Sequence, residues 1–286
     1  MKHWLPATSF LVGVASLISC ASANDLDVIV TRSSAKAAAE RKIEPMPLVD
    51  DSVFLRRIYV DLIGRIPTDA EVREFATRPA KGRREELVEQ LLKDERFSDR
   101  WTIFFADMLR LRSQASGGQA LIAYVHNAVK TGMPYDELCR RLISTNGKAG
   151  RIPEVGFILG DDADPLAMAS VTSQVFLGVR IGCAQCHDHP FDDWKQKEFY
   201  ELAAFFGQSA RMETVENKNT PGVKERHLEE PKPGKKPPAP LKEIGISIPN
   251  DGEARNGGKK VSAALLDGAR LAADPTKSHR PPFAEW

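Results

Sequence analysis

From residue 51 to about residue 206, apolar positions recur at helical spacing. The first strong stripe is Phe54, Leu55, Ile58, Tyr59, Leu62 and Ile63, with Arg56, Arg57 and Asp61 mostly on the opposite face. Its i, i+4 pairs predict a helix capped by Asp51 or Ser52. Gly64 ends it, as a residue that tolerates positive φ does. Thr68 and Glu71 then form a capping-box pattern ahead of a second helix with Val72 and Phe75 inward. A third helix is expected over 83–94, with Leu87, Val88, Leu91 and Leu92 on one face. Ser98 is the expected cap of a fourth, which carries Trp101, Phe104, Phe105, Met108, Leu109 and Leu111. That helix is apolar around much of its circumference, the pattern of a central, buried element. Beyond a loop at 113–119, helices are expected over 121–129, 134–143, 165–177 and 195–206. Pro134 and Pro165 sit near first helical positions, where a missing N–H costs nothing.

The flanks differ. Residues 26–48 read as a short helical or irregular lead-in ending at Glu44-Pro45-Met46-Pro47. After Gly207 the chain turns polar, with six prolines between 221 and 240. That stretch is an extended surface segment, with its lysines solvated. Residues 243–248 alternate as a weak strand, and 261–271 are helical or irregular. The ending Pro281-Pro282-Phe283-Ala284-Glu285-Trp286 suggests a truncated product. The expected fold is therefore mainly α: a multi-helix globular domain over 26–208 with a polar, Pro-rich, weakly β extension over 209–286. Strands are expected only beyond Gly207.

The first 23 residues form a separate module. Lys2 and His3 precede an apolar run from Phe10 to Ile18, and small residues follow. This is the order of a secretory signal peptide, and the run is too short to span a bilayer. Leu17-Ile18-Ser19-Cys20 resembles a lipobox, which would place a lipid anchor on Cys20. Ala21-Ser22-Ala23 instead fits a cleavage site that frees a soluble product from Asn24. Both imply export to the periplasm or cell surface.

Charge narrows the function. The chain of 286 residues carries 40 Lys+Arg against 39 Asp+Glu. That balance leaves no excess of cations for nucleic-acid binding. Four cysteines are too few for a disulfide scaffold. Of these, Cys139 follows Leu138 on an apolar face and reads as a buried free thiol. Asp107 and Arg110, three apart on the aromatic helix, can pair as a local ion pair. No serine-nucleophile motif, P-loop or dinucleotide fingerprint is present.

One constellation carries chemistry. Cys183-Ala184-Gln185-Cys186-His187 is C-x-x-C-H, the attachment signature of c-type haem. Two thiols on one side of a helical turn can add to the two haem vinyl groups, and the next histidine is then the axial base. Three alternatives use the same stretch. Cys183 and Cys186 can form a disulfide. His187, His189 and Asp192, with the thiolates, can bind zinc or iron directly. The turn can also be structural. Met108, Met133, Met168, Met212 and His126 are candidate sixth ligands by type alone.

These residues carry a resemblance. Arg56-Arg57 through Asp61-Leu62-Ile63-Gly64 to Pro67-Thr68 is similar to a family's R-R-x-x-x-D-L-x-G-x-x-P-T segment. Arg100-Trp101 with Asp107 and Arg110 resembles its R-W-x-x-x-x-x-D-x-x-R helix. Cys183 through Asp192 resembles its C-x-x-C-H-x-H-P-F-D. The chain thus resembles the planctomycete cytochrome-type family of exported domains of unknown function. It departs at Phe104-Phe105-Ala106-Asp107-Met108-Leu109, where relatives often carry W-L-D-V-A, and at Leu111, where they usually carry Tyr. The resemblance implies haem c on Cys183, Cys186 and His187, electron transfer with a redox partner, and a second exported domain following in relatives. A non-redox cell-surface scaffold and a metal-dependent hydrolase are the competing functions.

Overall fold

The computed structural model describes residues 23–42, 47–214, 225–229, 246–248, 259–270 and 278–286. The expected leader and the Pro-rich stretch at 231–240 lie outside them. The chain divides into two compact units, Met1–Phe54 and Leu55–Trp286. In the first, α1 spans Ala23–Arg41. It is Ala-rich, which favours helix, but residues 28–41 are exposed apart from the part-buried Ala38, and it has no apolar stripe. No described helix is long and apolar enough to cross a membrane.

Among the described residues the protein is mainly helical. α2 (Asp51–Ile63) is capped by Asp50, one residue earlier than expected; its Oδ1 accepts from the N–H groups of Ser52 and Val53, both at 2.9 Å. Leu55, Tyr59 and Ile63 are buried, as the stripe requires. Gly64 follows at φ +78°, a conformation only glycine adopts without strain. The capping box of Thr68 and Glu71 opens α3 (Asp69–Thr77), with Phe75 buried and Val72 exposed against expectation. α4 (Arg83–Leu92) buries Leu87 and Leu91 and leaves Leu92 outside.

α5 (Glu95–Met108) corrects two expectations. Its cap is Asp94, with Ser98 inside the helix and buried. It is also peripheral: Ile103 is 59% and Phe104 42% exposed. The inward face is Ser98 and Thr102, with Leu109 just after the helix. Thr102 turns its hydroxyl back onto the Ser98 carbonyl at 2.6 Å, which meets its own bonding need inside the helix. Asp107 and Arg110 do not pair as expected. The Arg110 guanidinium instead reaches Asp161 at 3.8 Å.

The centre of the core is built by α6 (Gly118–Lys130), α7 (Tyr135–Ser144), α8 (Gly156–Leu159), α9 (Pro165–Phe176) and α10 (Gln196–Ala203). Val125, Leu142, Ile158, Met168, Phe199 and Leu202 are fully enclosed. α8 has four residues, too few to show a period in the sequence. Pro165 occupies the first turn of α9 behind the cap Asp164, whereas Pro134 is itself the cap position of α7. Cys139 is half-buried and free.

Two small antiparallel sheets complete the fold. β1 (Gly147–Lys148), β2 (Ala210–Thr214) and β3 (Glu225–Glu229) form a sheet in the order β1-β3-β2, with Gly147 opposite Leu228 and Met212 opposite His227. β1 precedes Gly207, so strands are not confined to the C-terminal part. β4 (Ile246–Ile248) pairs with β5 (Lys259–Val261). Val261, Ala263, Leu265 and Phe283 are buried in the same core as α6–α10. The last helix, α11 (Arg280–Glu285), lies against α7. The fully buried Arg280 donates to the carbonyls of Ile143 (2.6 Å) and Thr145 (3.0 Å) and to Oδ1 of Asn146 (2.6 Å).

Candidate functional site

The C-x-x-C-H segment sits between α9 and α10. Residues Gly182–Gln185 form a single 3-10 turn, and Cys186 closes it with an N–H to the Cys183 carbonyl at 3.4 Å. In ideal 3-10 geometry side chains three apart eclipse one another, the spacing at which Cys183 and Cys186 stand. Both cysteines are exposed and free. Ala184 between them is fully buried and pins the turn to the core. Gly182 lies so close to α9 that a Cβ there would meet Ser170 Oγ at 2.9 Å.

α10 holds the other side. The Gln185 carbonyl accepts from Gln196 Nε2 at 3.1 Å and from the Tyr200 hydroxyl at 3.2 Å. The Asp188 carboxylate accepts from the Gln196 N–H at 2.9 Å and meets Lys195 Nζ at 3.3 Å. That backbone donor and then the ammonium hold the Asp188 carboxyl below the usual range. Burial pushes the Tyr200 phenol up, and the neighbouring Cys186 adds to the rise. Cys186 and His187 therefore lie between two anchors on one helix.

The two histidines are differently placed. His187 is exposed, and its Nδ1 donates to the Asp188 carbonyl at 2.7 Å. That bond fixes the tautomer and leaves Nε2 with its lone pair outward, as an axial base or metal ligand needs. His189 is turned inward. Its Nδ1 accepts from the N–H groups of Phe191 (3.3 Å) and Asp192 (3.0 Å), and its backbone N–H donates to the Trp194 carbonyl at 2.8 Å. His189 thus staples the loop that follows the motif. At the tip of that loop Phe191 is 91% exposed. Asp192 lies 3.6 Å from the same His189 nitrogen. His187, His189 and Asp192 are not brought together: among the described residues no three of His, Cys, Asp and Glu converge where they could hold a metal ion.

The donor set fits covalent haem. Two free, exposed thiols stand three apart across one turn, and the Nδ1 of the histidine beside them is bonded, leaving Nε2 bare. Of the candidate sixth ligands, Met168 is enclosed in the core and His126 pairs with Asp99 at 3.1 Å. Met108 is half-buried, and Met212 lies in β2. Met133 lines an apolar cavity of about 270 Å³ with Phe97, Trp101, Phe105, Tyr135 and Leu138. Reading the sequence singled out the motif but missed Gln196 and Tyr200, whose partner is a backbone carbonyl 11 and 15 residues away.

The PSCyt2 family model, described as a protein of unknown function (DUF1549), matches residues 30–211. The matched stretch runs from α1 to β2 and includes the whole site. No curated protein and no solved structure matches the chain.

Proposed function

This chain belongs to the PSCyt2 family, and on that premise we propose that it is an exported electron-transfer protein that binds haem c through Cys183, Cys186 and His187. The observation that carries this reading is the exposure of two free thiols, three apart across one turn, beside an imidazole whose Nδ1 is already bonded. Bound haem would supply one-electron chemistry. The chain's own residues do the rest. Cys183 and Cys186 anchor the group by thioether bonds. His187 offers Nε2 while Asp188 holds its ring. The His189 staple sets the course of the loop carrying Phe191. A lipid on Cys20 and a second exported domain belong to the same proposal, and a redox partner follows from the exposure of the site.

The test is expression with the bacterial haem-attachment machinery. Haem that survives acid–acetone extraction and denaturing electrophoresis supports the reading. Loss of that retention in the Cys183→Ala/Cys186→Ala variant identifies the bond. His187→Ala should keep some attachment and change the spectrum, because the axial nitrogen sets the ligand field. Colourless protein, free of haem by mass and holding stoichiometric zinc or iron, overturns it in favour of direct metal binding. Metal-free protein two hydrogens lighter points to a Cys183–Cys186 disulfide. The mass of the mature N-terminus, Cys20 with lipid or Asn24 without, tests export; an intact Met1 on native material rejects it.

A further inference from the structure

We infer that Gln196 and Tyr200 are positioning residues for the thiol pair. Through the Gln185 carbonyl they hold the Cys183–Cys186 turn, and with it the spacing of the two thiols. The Cys186 end of the turn has less support of its own than the start, where the Ala184 N–H reaches the Ile181 carbonyl at 2.9 Å. Its closing bond, Cys186 N–H to the Cys183 carbonyl, is long at 3.4 Å. The two bonds from α10 are shorter, at 3.1 and 3.2 Å, and together they use both lone pairs of the Gln185 oxygen. Tyr200 is 2% exposed and its ring packs edge-on against Phe199 at 5.5 Å, so the hydroxyl cannot swing away. Gln196 acts twice, since its N–H also grips Asp188.

The support is asymmetric. The Cys183 side rests on packing: Gly182 against Ser170 of α9 and the buried Ala184. The Cys186 side rests on these hydrogen bonds. Removing the bonds therefore frees Cys186 more than Cys183. The part of this inference that concerns haem rests on the proposed function above; the part that concerns the thiols does not.

The test uses the full chain without haem, equilibrated with glutathione. Oxidised glutathione takes two electrons and two protons from the thiols as its S–S bond breaks and the Cys183–Cys186 S–S bond forms; the products are the Cys183–Cys186 disulfide and two reduced glutathione molecules. A turn that holds the sulfurs together raises their effective concentration and favours the disulfide. In the Gln196→Leu/Tyr200→Phe variant the equilibrium constant should fall about fivefold, and in Tyr200→Phe alone about twofold. The helical circular dichroism should stay native, which a general loss of structure would not allow. Should the double variant not fold, Tyr200→Phe, which removes one oxygen, decides the matter. A constant unchanged in a natively folded variant overturns the inference. With haem loaded, the double variant should accumulate protein attached through Cys183 alone. Its absorption bands move to longer wavelength, because one vinyl group stays conjugated. Equal loss at both cysteines also overturns the inference. Wild-type protein that takes up no haem counts against the proposed function, and the glutathione constant still decides the role of the two residues.

Discussion

A Cβ on Gly64 would stand 2.5 Å from Arg100 Cδ, and the residue already has φ +78°. The end of α2 and the R-W segment of α5 are thus fitted to each other at one atom. Gly64→Ala should cost about 1–3 kcal/mol in urea unfolding, from backbone strain and the displaced Arg100. Gly132, also at positive φ but with nothing nearby, should lose less on the same change. The three described cysteines separate by environment. Burial pushes the Cys139 thiol up, whereas Cys183 and Cys186 stand in solvent. Iodoacetamide at about pH 8 should label the exposed pair well before Cys139; peptide mapping after short exposure checks the order. At this scale the sequence was legible wherever the partner was near. Thr68 and Glu71 are three apart and found each other. Gln185 was opaque because its carbonyl has no side-chain signature and its donors sit on a helix that reaches it only in the folded chain.

The longer helices between residues 51 and 206 were legible in type, whereas the four-residue α8 and the helix α11 were not, and α5 shows what a count of apolar residues leaves out. Its six large apolar side chains do not share one direction, and a core needs a face rather than a total. Its most buried residues, Ser98 and Thr102, are small and polar, and Phe105 and Met108 pack against the core only part-buried. Phe105 lies half-buried on the flank, stacked on Tyr135 at 5.9 Å. Phe105→Ala should therefore cost about 1–3 kcal/mol, less than a fully enclosed phenylalanine; denaturant unfolding measures it. The α2–α3 corner carries a pH dependence. The Arg65 guanidinium, in a two-bond pair at 2.9 and 2.7 Å, holds the Glu71 carboxyl down to about 2 from an ordinary 4.5. The two Thr68 bonds add to this. A carboxyl lowered on folding contributes stability above its unfolded value and loses it on acidification. Stability should thus fall between pH 4.5 and about 2, by about 1–3 kcal/mol. Glu71→Gln should flatten that part of the profile while lowering stability at neutral pH.

At the scale of the molecule, the family match ends at residue 211, but the core does not. Val261, Ala263, Leu265 and Phe283 are enclosed with the central helices, and Phe283 stacks on Phe205 with ring centres 4.7 Å apart. The sequence hid this because the buried residues come singly or in short runs between polar stretches, without a period to read. Arg280→Ala should cost about 2–4 kcal/mol, since it leaves carbonyls at the end of α7 without donors in a closed interior. Full retention of the wild-type melting temperature would refute that. The Arg280–Ile143 bond joins residues 137 apart in the chain. It sets an order of events during synthesis. While residues 278–286 are still inside the ribosome, α7 lacks its closing donor and Phe205 its ring partner. Stalled nascent chains should accordingly remain open to protease until that segment emerges, so that the interior stays unsealed long after α7 itself has been made.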